Sequence, residues 1–166
     1  MSYLESVLSS LASQFGDLRT SEFRGKTRVV IGRDQLFAFL KSLKVDHGFD
    51  YLVDITCVDY LAYRDAVDRF GLVYELTNTR ENVRLTVRCY LNEPNLEVPS
   101  VYPLWRGADW LEREVYDMFG IVFTGHPNLR RILLPEEFTS HPLRKDYPLQ
   151  GRGERHNFPV IRRAEA

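Results

Sequence analysis

The chain has 166 residues, which is the length of one ordinary domain. Its composition, 44% hydrophobic and 27% charged, is typical of globular proteins and excludes a disordered or collagenous chain. The formal net charge of −1 argues against bulk binding of nucleic acid. No run of about 18 apolar residues occurs, so no membrane-spanning helix is predicted. The first residues lack the basic region and apolar run of a signal peptide, which favours a cytoplasmic location.

The charge is unevenly distributed along the chain. Residues 1–125 carry 14 Lys and Arg against 18 Asp and Glu, whereas residues 126–166 carry 8 against 5 and five of the eight prolines. This shift predicts an acidic α/β body over residues 1–124 and an extended, basic, proline-rich tail over residues 125–166. We call residues 125–166 the C-terminal tail.

Two helices are predicted in the first fifty residues. Ser2 and Glu5 have the spacing of a capping box, and Gly16 is placed to end the first helix. Asp34 is predicted to cap the second helix, which stops near Gly48. The apolar residues at helical spacing are Leu4, Val7, Leu8, Leu11 and Phe15 in the first helix, and Phe37, Leu40 and Leu43 in the second.

Four segments have the composition of β-strands: residues 27–31, 51–58, 70–78 and 83–91. In residues 51–58, alternation predicts Tyr51, Val53, Ile55 and Cys57 on one face. Short polar links suit antiparallel hairpins, while the first strand and second helix could form a crossover. The predicted fold is α+β with two layers: a mixed or mostly antiparallel sheet of about four strands, helices on one face, and the C-terminal tail.

A long loop and a third helix follow the last strand. Residues 92–103 contain three prolines and are predicted to form a loop. Asp109 is predicted to cap the third helix with Glu112 completing the box, and Gly120 to end it. Leu111, Val115 and Met118 form the predicted apolar stripe, so Glu112, Arg113 and Asp117 are expected to face away from it.

The C-terminal tail is predicted to be an interface segment rather than a folded domain. Its prolines exclude a long helix or a central strand. Nine apolar side chains are nevertheless too many for a solvated linker: Leu129, Ile132, Leu133, Leu134, Phe138, Leu143, Tyr147, Leu149 and Phe158. An extended apolar segment must bury itself, partly on the body and preferably on a partner protein.

Residue types that could carry chemistry have simpler interpretations. His126, His141 and His156 lack metal-ligand spacing, and hydrogen bonding is the preferred role. Glu112, Glu114 and Asp117 could act as general acids or bases, but a solvated or salt-bridged helix face is favoured for Glu112 and Asp117. Glu114 lies between the two faces and is the strongest of the three candidates. Cys57 and Cys89 alternate with core residues and are expected to be buried, inert thiols. Tyr102, Trp105 and Trp110 are expected to be core or interface anchors.

Three segments together resemble a known family. Residues 112–121 read EREVYDMFGI, residues 125–133 read GHPNLRRIL, and residues 141–149 read HPLRKDYPL. These three segments, in this order, closely resemble the signature of the subunit designated C in NADH-quinone oxidoreductase, respiratory complex I. Related sequences occur in the photosynthetic complex I-like enzyme and in membrane-bound energy-converting hydrogenases, which remain the alternative parents.

The resemblance implies a hydrophilic, non-catalytic subunit of the peripheral arm, on the cytoplasmic face of the membrane. It implies no cofactor in this chain, because FMN and the iron–sulfur clusters belong to other subunits of the parent complex. The implied partners are the quinone-site subunit and neighbouring iron–sulfur subunits, with no nucleic acid and with membrane association only through the complex. The residues expected at the partner interface are Glu112, Arg113, Glu114, Asp117, His126, Arg130, Arg131, His141, Arg144, Lys145, Asp146 and Tyr147.

Two other functions make distinct predictions. A free-standing enzyme would use Glu114, Asp117 and His126 around a small pocket, and would show turnover or a bound metal. A nucleic-acid adaptor using the C-terminal tail would bind generic duplex with strong salt dependence.

Overall fold

The computed structural model describes residues 2–16 and 18–154. Predictions that concern residues 155–166, among them His156 and Phe158, lie outside the described residues. The elements follow in chain order: α1 (Tyr3–Phe15), β1 (Arg19–Phe23), β2 (Lys26–Val30), α2 (Arg33–Val45), β3 (Tyr51–Asp59), β4 (Phe70–Asn78), β5 (Val83–Leu91), β6 (Glu97–Pro99), α3 (Ala108–Phe119) and β7 (Val122–Thr124).

The start of α1 matches its prediction and the start of α2 does not. Ser2 Oγ accepts from the Glu5 amide, and the Ser2 amide donates to the Glu5 carboxylate, which completes the capping box. Helix α2 begins one residue before Asp34, and its N-cap is Gly32, without a side-chain cap. Asp34 therefore lies inside the first turn. Its negative charge interacts favourably with the helix dipole there, but its side chain does not cap the helix.

The main sheet has five strands in the order β1-β2-β5-β4-β3. Strands β2 and β5 are parallel and the other neighbours are antiparallel, so the predicted mixed sheet is confirmed. The additional strand, β1, is exposed at all five positions. A strand with no buried face has no hydrophobic alternation, which is why the sequence pattern missed it.

A bulge divides strand β3 into two registers. Leu52 pairs with Leu76, but the next paired residue is Asp54, opposite Glu75, so Val53 is the extra residue. Tyr51 and Val53 are consequently exposed, whereas Ile55 and Cys57 are buried. The predicted common face for these four residues is therefore wrong, because a bulge shifts the two-residue alternation by one position.

All three helices contribute to one hydrophobic core on a single face of the sheet. Leu11 of α1, Phe39 of α2 and Val115 of α3 belong to the same buried cluster as Tyr74 and Val87 of the sheet. The sheet residues on this face alternate with those on the other face. We call that other face the outer face; the helices do not cover it.

The predicted loop over residues 92–103 contains a short strand. Strand β6 pairs in parallel with β7, which follows α3. Three-residue strands are too short for a periodicity argument, so neither was predicted. Among the described residues, no helix is both long and apolar enough to cross a membrane.

Candidate protein-interaction site

The described part of the C-terminal tail lies on helix α3. This helix follows Gly107, which provides no side-chain cap, and ends at Gly120 in the left-handed conformation. The end at Gly120 agrees with the sequence prediction. The predicted Asp109 cap and Glu112 box are wrong, because the helix begins at Ala108 and both residues lie within it. Glu112 and Asp117 are also fully buried rather than turned to solvent.

The Asp117 carboxylate joins α3 to the C-terminal tail. Its Oδ1 accepts from Arg131 Nη1 at 2.6 Å. Its Oδ2 accepts from three consecutive tail amides, those of residues 132, 133 and 134, at 2.8–3.0 Å. Burial alone would raise the pKa of Asp117, but the amide of Leu134 and the other donors outweigh it, so the pKa lies below its ordinary value. This side chain is an ionised carboxylate fully occupied by the tail.

The carbonyls at the C-terminal end of α3 are also satisfied by tail residues. His141 Nδ1 hydrogen-bonds the Asp117 carbonyl at 3.0 Å, and Arg144 Nε donates to the Phe119 carbonyl at 2.6 Å. The Leu143 amide donates to the Met118 carbonyl at 3.2 Å. Helix ends leave such carbonyls without intrahelical donors, so these bonds attach the tail where the helix needs partners.

A second buried carboxylate, Asp59 at the end of β3, holds the next part of the tail. It accepts from the Lys145 amide at 2.8 Å and from the guanidinium of Arg69. Burial would raise the pKa of Asp59, but the Lys145 amide and the other donors lower it overall. Arg69 also pairs with Asp146 at 2.9 Å and with Glu93 at 2.8 Å.

Sequence reasoning missed Asp59, Arg69 and Glu93. Asp59 follows Ile55 and Cys57 at two-residue spacing, which places a carboxylate at a core-facing strand position. A charge at such a position is rare unless it is paired, so the spacing itself was the available signal. Arg69 and Glu93 carry no comparable signal, because their partners are distant in sequence.

The remaining predicted interface residues divide into two groups. Arg113 donates to the carbonyls of Arg130 and Arg131, and Tyr147 packs against Phe138 with ring centroids 6.1 Å apart, so both support the tail from within the chain. Glu114, Arg130 and Lys145 have exposed side chains.

A second buried cluster surrounds Glu112. Its carboxylate accepts from Ser100 Oγ at 2.6 Å and from the Val101 amide at 2.7 Å. His126 Nε2 lies 3.9 Å from it and makes a 3.1 Å hydrogen bond with the Asp109 carbonyl. Burial, only partly offset by the Ser100 and Val101 bonds, raises the pKa of Glu112 to about 7.

The described residues offer no sign of metal or thiol chemistry. Within residues 2–16 and 18–154, no group of three or more His, Cys, Asp or Glu side chains could hold a metal ion. Cys57 and Cys89 are buried, and burial raises the pKa of each thiol to about 12. The three residues that a free-standing enzyme would use also have different roles in the structure. Asp117 hydrogen-bonds the tail, His126 hydrogen-bonds Asp109, and Glu114 is exposed.

The polar groups of the tail contact the body, whereas several large apolar side chains are exposed to solvent. Leu133 is 61% exposed, Leu143 50% and Leu149 fully exposed, while Trp110 on α3 is 69% exposed. The described part of the tail is thus attached to the body by hydrogen bonds, by ion pairs and by the packing of Leu129 and Leu134 against the core, and part of its apolar surface stays open. Trp105, by contrast, is buried in the core.

Comparison with known proteins identifies the family. The family model of the respiratory-chain NADH dehydrogenase 30 kDa subunit matches residues 29–153, which include strands β3 to β5, α3 and most of the described tail. The chain belongs to this family. The resemblance of the three segments around α3 and the tail is therefore confirmed.

Curated relatives agree along most of the chain. The NADH-quinone oxidoreductase subunit designated C in Citrifermentans bemidjiense is 44% identical over 134 residues, covering 81% of this chain and 81% of the relative. The one designated 5 in Thermus thermophilus is 47% identical over 131 residues, covering 75% of this chain and 63% of that protein. These relatives are subunits of NADH-quinone oxidoreductase, which is an enzyme complex.

Two solved structures share the fold. One is Nqo5, described as the trypsin-resistant fragment (1–134); it has a TM-score of 0.70 and 38% identity, and covers 77% of this chain and 100% of that chain. The other belongs to the membrane-bound sulfane sulfur reductase, an archaeal respiratory membrane complex, with a TM-score of 0.74, covering 89% of this chain and 87% of that chain. At 23% identity, the second comparison concerns the fold alone.

Proposed function

We propose that this chain is a non-catalytic structural subunit of the peripheral arm of a proton-translocating NADH:quinone oxidoreductase. In this role it supports the quinone-site subunit while electrons pass from NADH, through FMN and iron–sulfur clusters, to quinone. Family membership and the named relatives support the parent complex. The alternative parents, a photosynthetic complex I-like enzyme or a membrane-bound hydrogenase, have less support, because the relatives at 44–47% identity are NADH-quinone oxidoreductase subunits.

The observation that carries the proposal is that the polar groups of the C-terminal tail contact the body while several of its leucines face solvent. Asp117 and Asp59 fix its backbone on the body, while Leu133, Leu143 and Leu149 remain exposed. Exposed leucines held on a backbone that is already ordered lose little further entropy when a partner covers them. Such a surface is suited to binding another protein subunit.

The predicted interface residues take two roles in this proposal. Glu114, Arg130 and Lys145 are exposed and available for direct contact with the quinone-site or iron–sulfur subunits. Asp117, Arg131, His141 and Arg144 shape the tail that presents those contacts. Arginine is suited to the direct contacts, because its planar fork pairs carboxylates with two parallel hydrogen bonds.

The chemistry of the chain supports a role without a cofactor of its own. The FMN and the clusters belong to other subunits in this proposal. Cluster ligation requires several thiolates together, whereas Cys57 and Cys89 are buried thiols with a pKa of about 12. The chain would sit at the cytoplasmic face of the inner membrane and associate with the membrane only through the complex.

The experiment is co-purification of the complex from native membranes with tagged variants of this chain. The double variant Leu133→Gln, Leu149→Gln removes apolar contacts from the tail, and Val45→Gln is the matched control because Val45 is 67% exposed on α2. We expect at least about tenfold less quinone-site subunit to co-purify with the double variant than with the native chain. The reason is that each leucine buried at an interface contributes ~1.5–3 kcal/mol to the free energy of binding. The Val45→Gln control should behave as the native chain.

The same preparation tests the functional part of the proposal. NADH:quinone reductase activity should fall in proportion to the subunit lost, and the activity per assembled complex should stay unchanged, because the chain contributes no reacting group. Full recovery of the quinone-site subunit with the double variant would contradict the proposal. So would a loss of activity in complexes that remain fully assembled.

A further inference from the structure

The outer face of the sheet carries a cluster of positive charges on three adjacent strands. Alternation and register place five basic side chains on this face of the adjacent strands β1, β2 and β5. They are Arg19, Lys26, Arg28, Arg84 and Arg88. The only acidic residue in these three strands is Glu22, which the same alternation places on the opposite side. We call this group the basic outer face.

These charges have no ionic partner within the described part of the chain. None of the ion pairs found in residues 2–16 and 18–154 includes any of the five residues. Arg28 stacks over the Phe23 ring at 5.1 Å, which orients its guanidinium while leaving the charge unpaired. Five like charges on three neighbouring strands repel one another unless an anion binds between them.

A pocket of about 510 Å³ opens at one end of this face. Tyr60, Tyr63 and Tyr90 line it, and Arg88 reaches into it, with Nη1 3.5 Å from Tyr60 Oη. Arg88 Nε is buried and has no hydrogen-bond partner in the described structure. A buried guanidinium nitrogen without an acceptor is costly, so Arg88 has unused hydrogen-bonding capacity. A carboxylate that enters the pocket would give the Arg88 guanidinium a charged acceptor.

We propose that the basic outer face binds an acidic segment of a neighbouring protein subunit, one of whose carboxylates enters the tyrosine pocket to pair with Arg88. Tyrosine and arginine are the residue types enriched at the centres of protein interfaces. Four of the five cations are arginines, which recognise carboxylates through bidentate pairs. This face lies on the side of the sheet that the helices leave uncovered, so the segment would bind at a surface separate from the C-terminal tail.

The surrounding charges favour a protein over a polyanion. Asp65 and Asp68 line the same pocket, and Asp54 and Glu75 lie on the outer face of the two remaining strands. A continuous phosphate backbone or a flat anionic membrane would meet these carboxylates as well as the arginines. A protein segment can place individual carboxylates opposite the arginines and neutral or basic groups opposite the acids.

The inference rests on the proposed function, since it supposes a neighbouring subunit, and its test uses the intact complex. Photo-reactive p-benzoylphenylalanine replaces Ser21, which is exposed on the outer face of β1. A second preparation carries the same residue at Leu149 in the tail. After irradiation of the purified complex, mass spectrometry identifies the attached peptides.

We expect the probe at Ser21 to attach to an acidic peptide of another subunit. The charge-reversing pair Arg19→Glu, Arg84→Glu, at two exposed positions, should lower the yield about tenfold, because rim charges set the rate and strength of such contacts. Lys41→Glu, an exposed position on α2, is the matched control and should leave the yield unchanged. Thermal unfolding of each variant verifies that it is folded.

Each other outcome overturns the inference in a different way. If the Leu149 probe attaches to another protein and the Ser21 probe attaches to none, the inference is wrong and the proposed function stands. If neither probe attaches to a protein, both are wrong. Attachment of the Ser21 probe to RNA or lipid, or a yield unaffected by the double charge reversal, shows that an acidic protein segment is not the ligand.

Discussion

Asp117 and Arg131 are 14 residues apart in the chain, and their side chains meet at 2.6 Å in a buried ion pair. The pair connects the last turn of α3 to the first part of the C-terminal tail. Its geometry is reinforced by the three amides that follow Arg131 and by the bond from Arg131 Nη2 to the Ser140 carbonyl at 3.1 Å. The described part of the tail therefore has a defined path on the body before any partner binds.

Replacing Asp117 tests whether this pair fixes the tail. Asp117→Asn cannot accept from Arg131 and from three amides at once, because one of its two groups is a donor. We expect the free energy of unfolding to fall by about 3 kcal/mol, the cost of breaking a buried ion pair. Trypsin should also cleave after Arg130 and Arg131 sooner than in the native chain.

The control for Asp117→Asn is Asp34→Asn, whose side chain is 94% exposed. That variant should change the unfolding free energy by no more than about 0.5 kcal/mol. Urea unfolding followed by circular dichroism measures both variants. Equal stabilities for the two variants would show that the Asp117 contacts do not hold the tail.

Acid should release the tail from the body. The pKa values of Asp117 and Asp59 lie below their ordinary value of 3.8, so each carboxylate stabilises the folded chain above pH 3.8. This contribution is lost as the pH falls through the lowered folded-state pKa values. The protection of the Leu133, Leu134 and Lys145 amides against hydrogen exchange, corrected for the intrinsic effect of pH on exchange, should therefore fall on acidification more than the protection of amides in β4. A uniform loss of protection at all amides would instead indicate global unfolding.

Gly120 tests the contact between the end of α3 and the tail. Its φ of 78° is unfavourable for other residues, and an added Cβ would lie 2.6 Å from His141 Nε2 and 2.8 Å from Arg144 Nη2. Gly120→Ala should cost ~1–2 kcal/mol for the backbone conformation alone, with a further loss from displacing the two side chains.

Two other glycines separate these contributions. Gly25 has a φ of 72° and no neighbour within 4 Å of an added Cβ, so Gly25→Ala measures the conformational cost alone. Gly107→Ala should be nearly neutral, because that position has neither a positive φ nor a close neighbour. Thermal unfolding of the three variants should rank Gly120→Ala as the least stable. If Gly25→Ala loses as much stability as Gly120→Ala, then displacing His141 and Arg144 contributes nothing to the loss at Gly120.

The fold was predictable where burial is periodic. Strand β5 alternates cleanly, and its core-facing residues Leu85, Val87 and Cys89 are fully buried as expected. The bulge at Val53 was not predictable, because one inserted residue leaves the composition of β3 unchanged while reversing its faces. Strands β1 and β6 were missed, since one is fully exposed and the other has only three residues.

The site was predictable only in part, because its residues are buried by segments that are distant in sequence. Asp117 was assigned to solvent by helical periodicity, and the tail residues that cover it could not be placed from local sequence. Glu112 is different, since Ala108, Glu112, Val115 and Phe119 recur at four-, three- and four-residue spacing. That pattern places Glu112 on the buried stripe, so its burial could have been inferred despite its charge.

The buried Glu112 should give the chain an unusual dependence of stability on pH. The pKa of Glu112 is about 7 in the folded chain, against an ordinary value of 4.5. Between pH 4.5 and about pH 7, the folded state therefore keeps a proton on Glu112 that the unfolded state has released. The associated stability is fully present below about pH 4.5 and is lost as the pH rises to about 7. The expected loss is roughly 3 kcal/mol, since one pKa unit corresponds to ~1.4 kcal/mol. Tyr74 adds no titration in this range, because burial, and then the nearby Glu112, raise its pKa well above 10.

The variant Glu112→Gln should remove this dependence, because a neutral amide cannot ionise. Urea unfolding at pH 5, 6, 7 and 8 would show a steeper decline for the native chain than for Glu112→Gln, with the difference largest at pH 8. Glu114→Gln is the control, since Glu114 is exposed on the same helix and should leave the native slope unchanged. Parallel curves for the native chain and Glu112→Gln would show that Glu112 ionises normally despite its burial, and that the Ser100 and Val101 bonds fully compensate its loss of hydration.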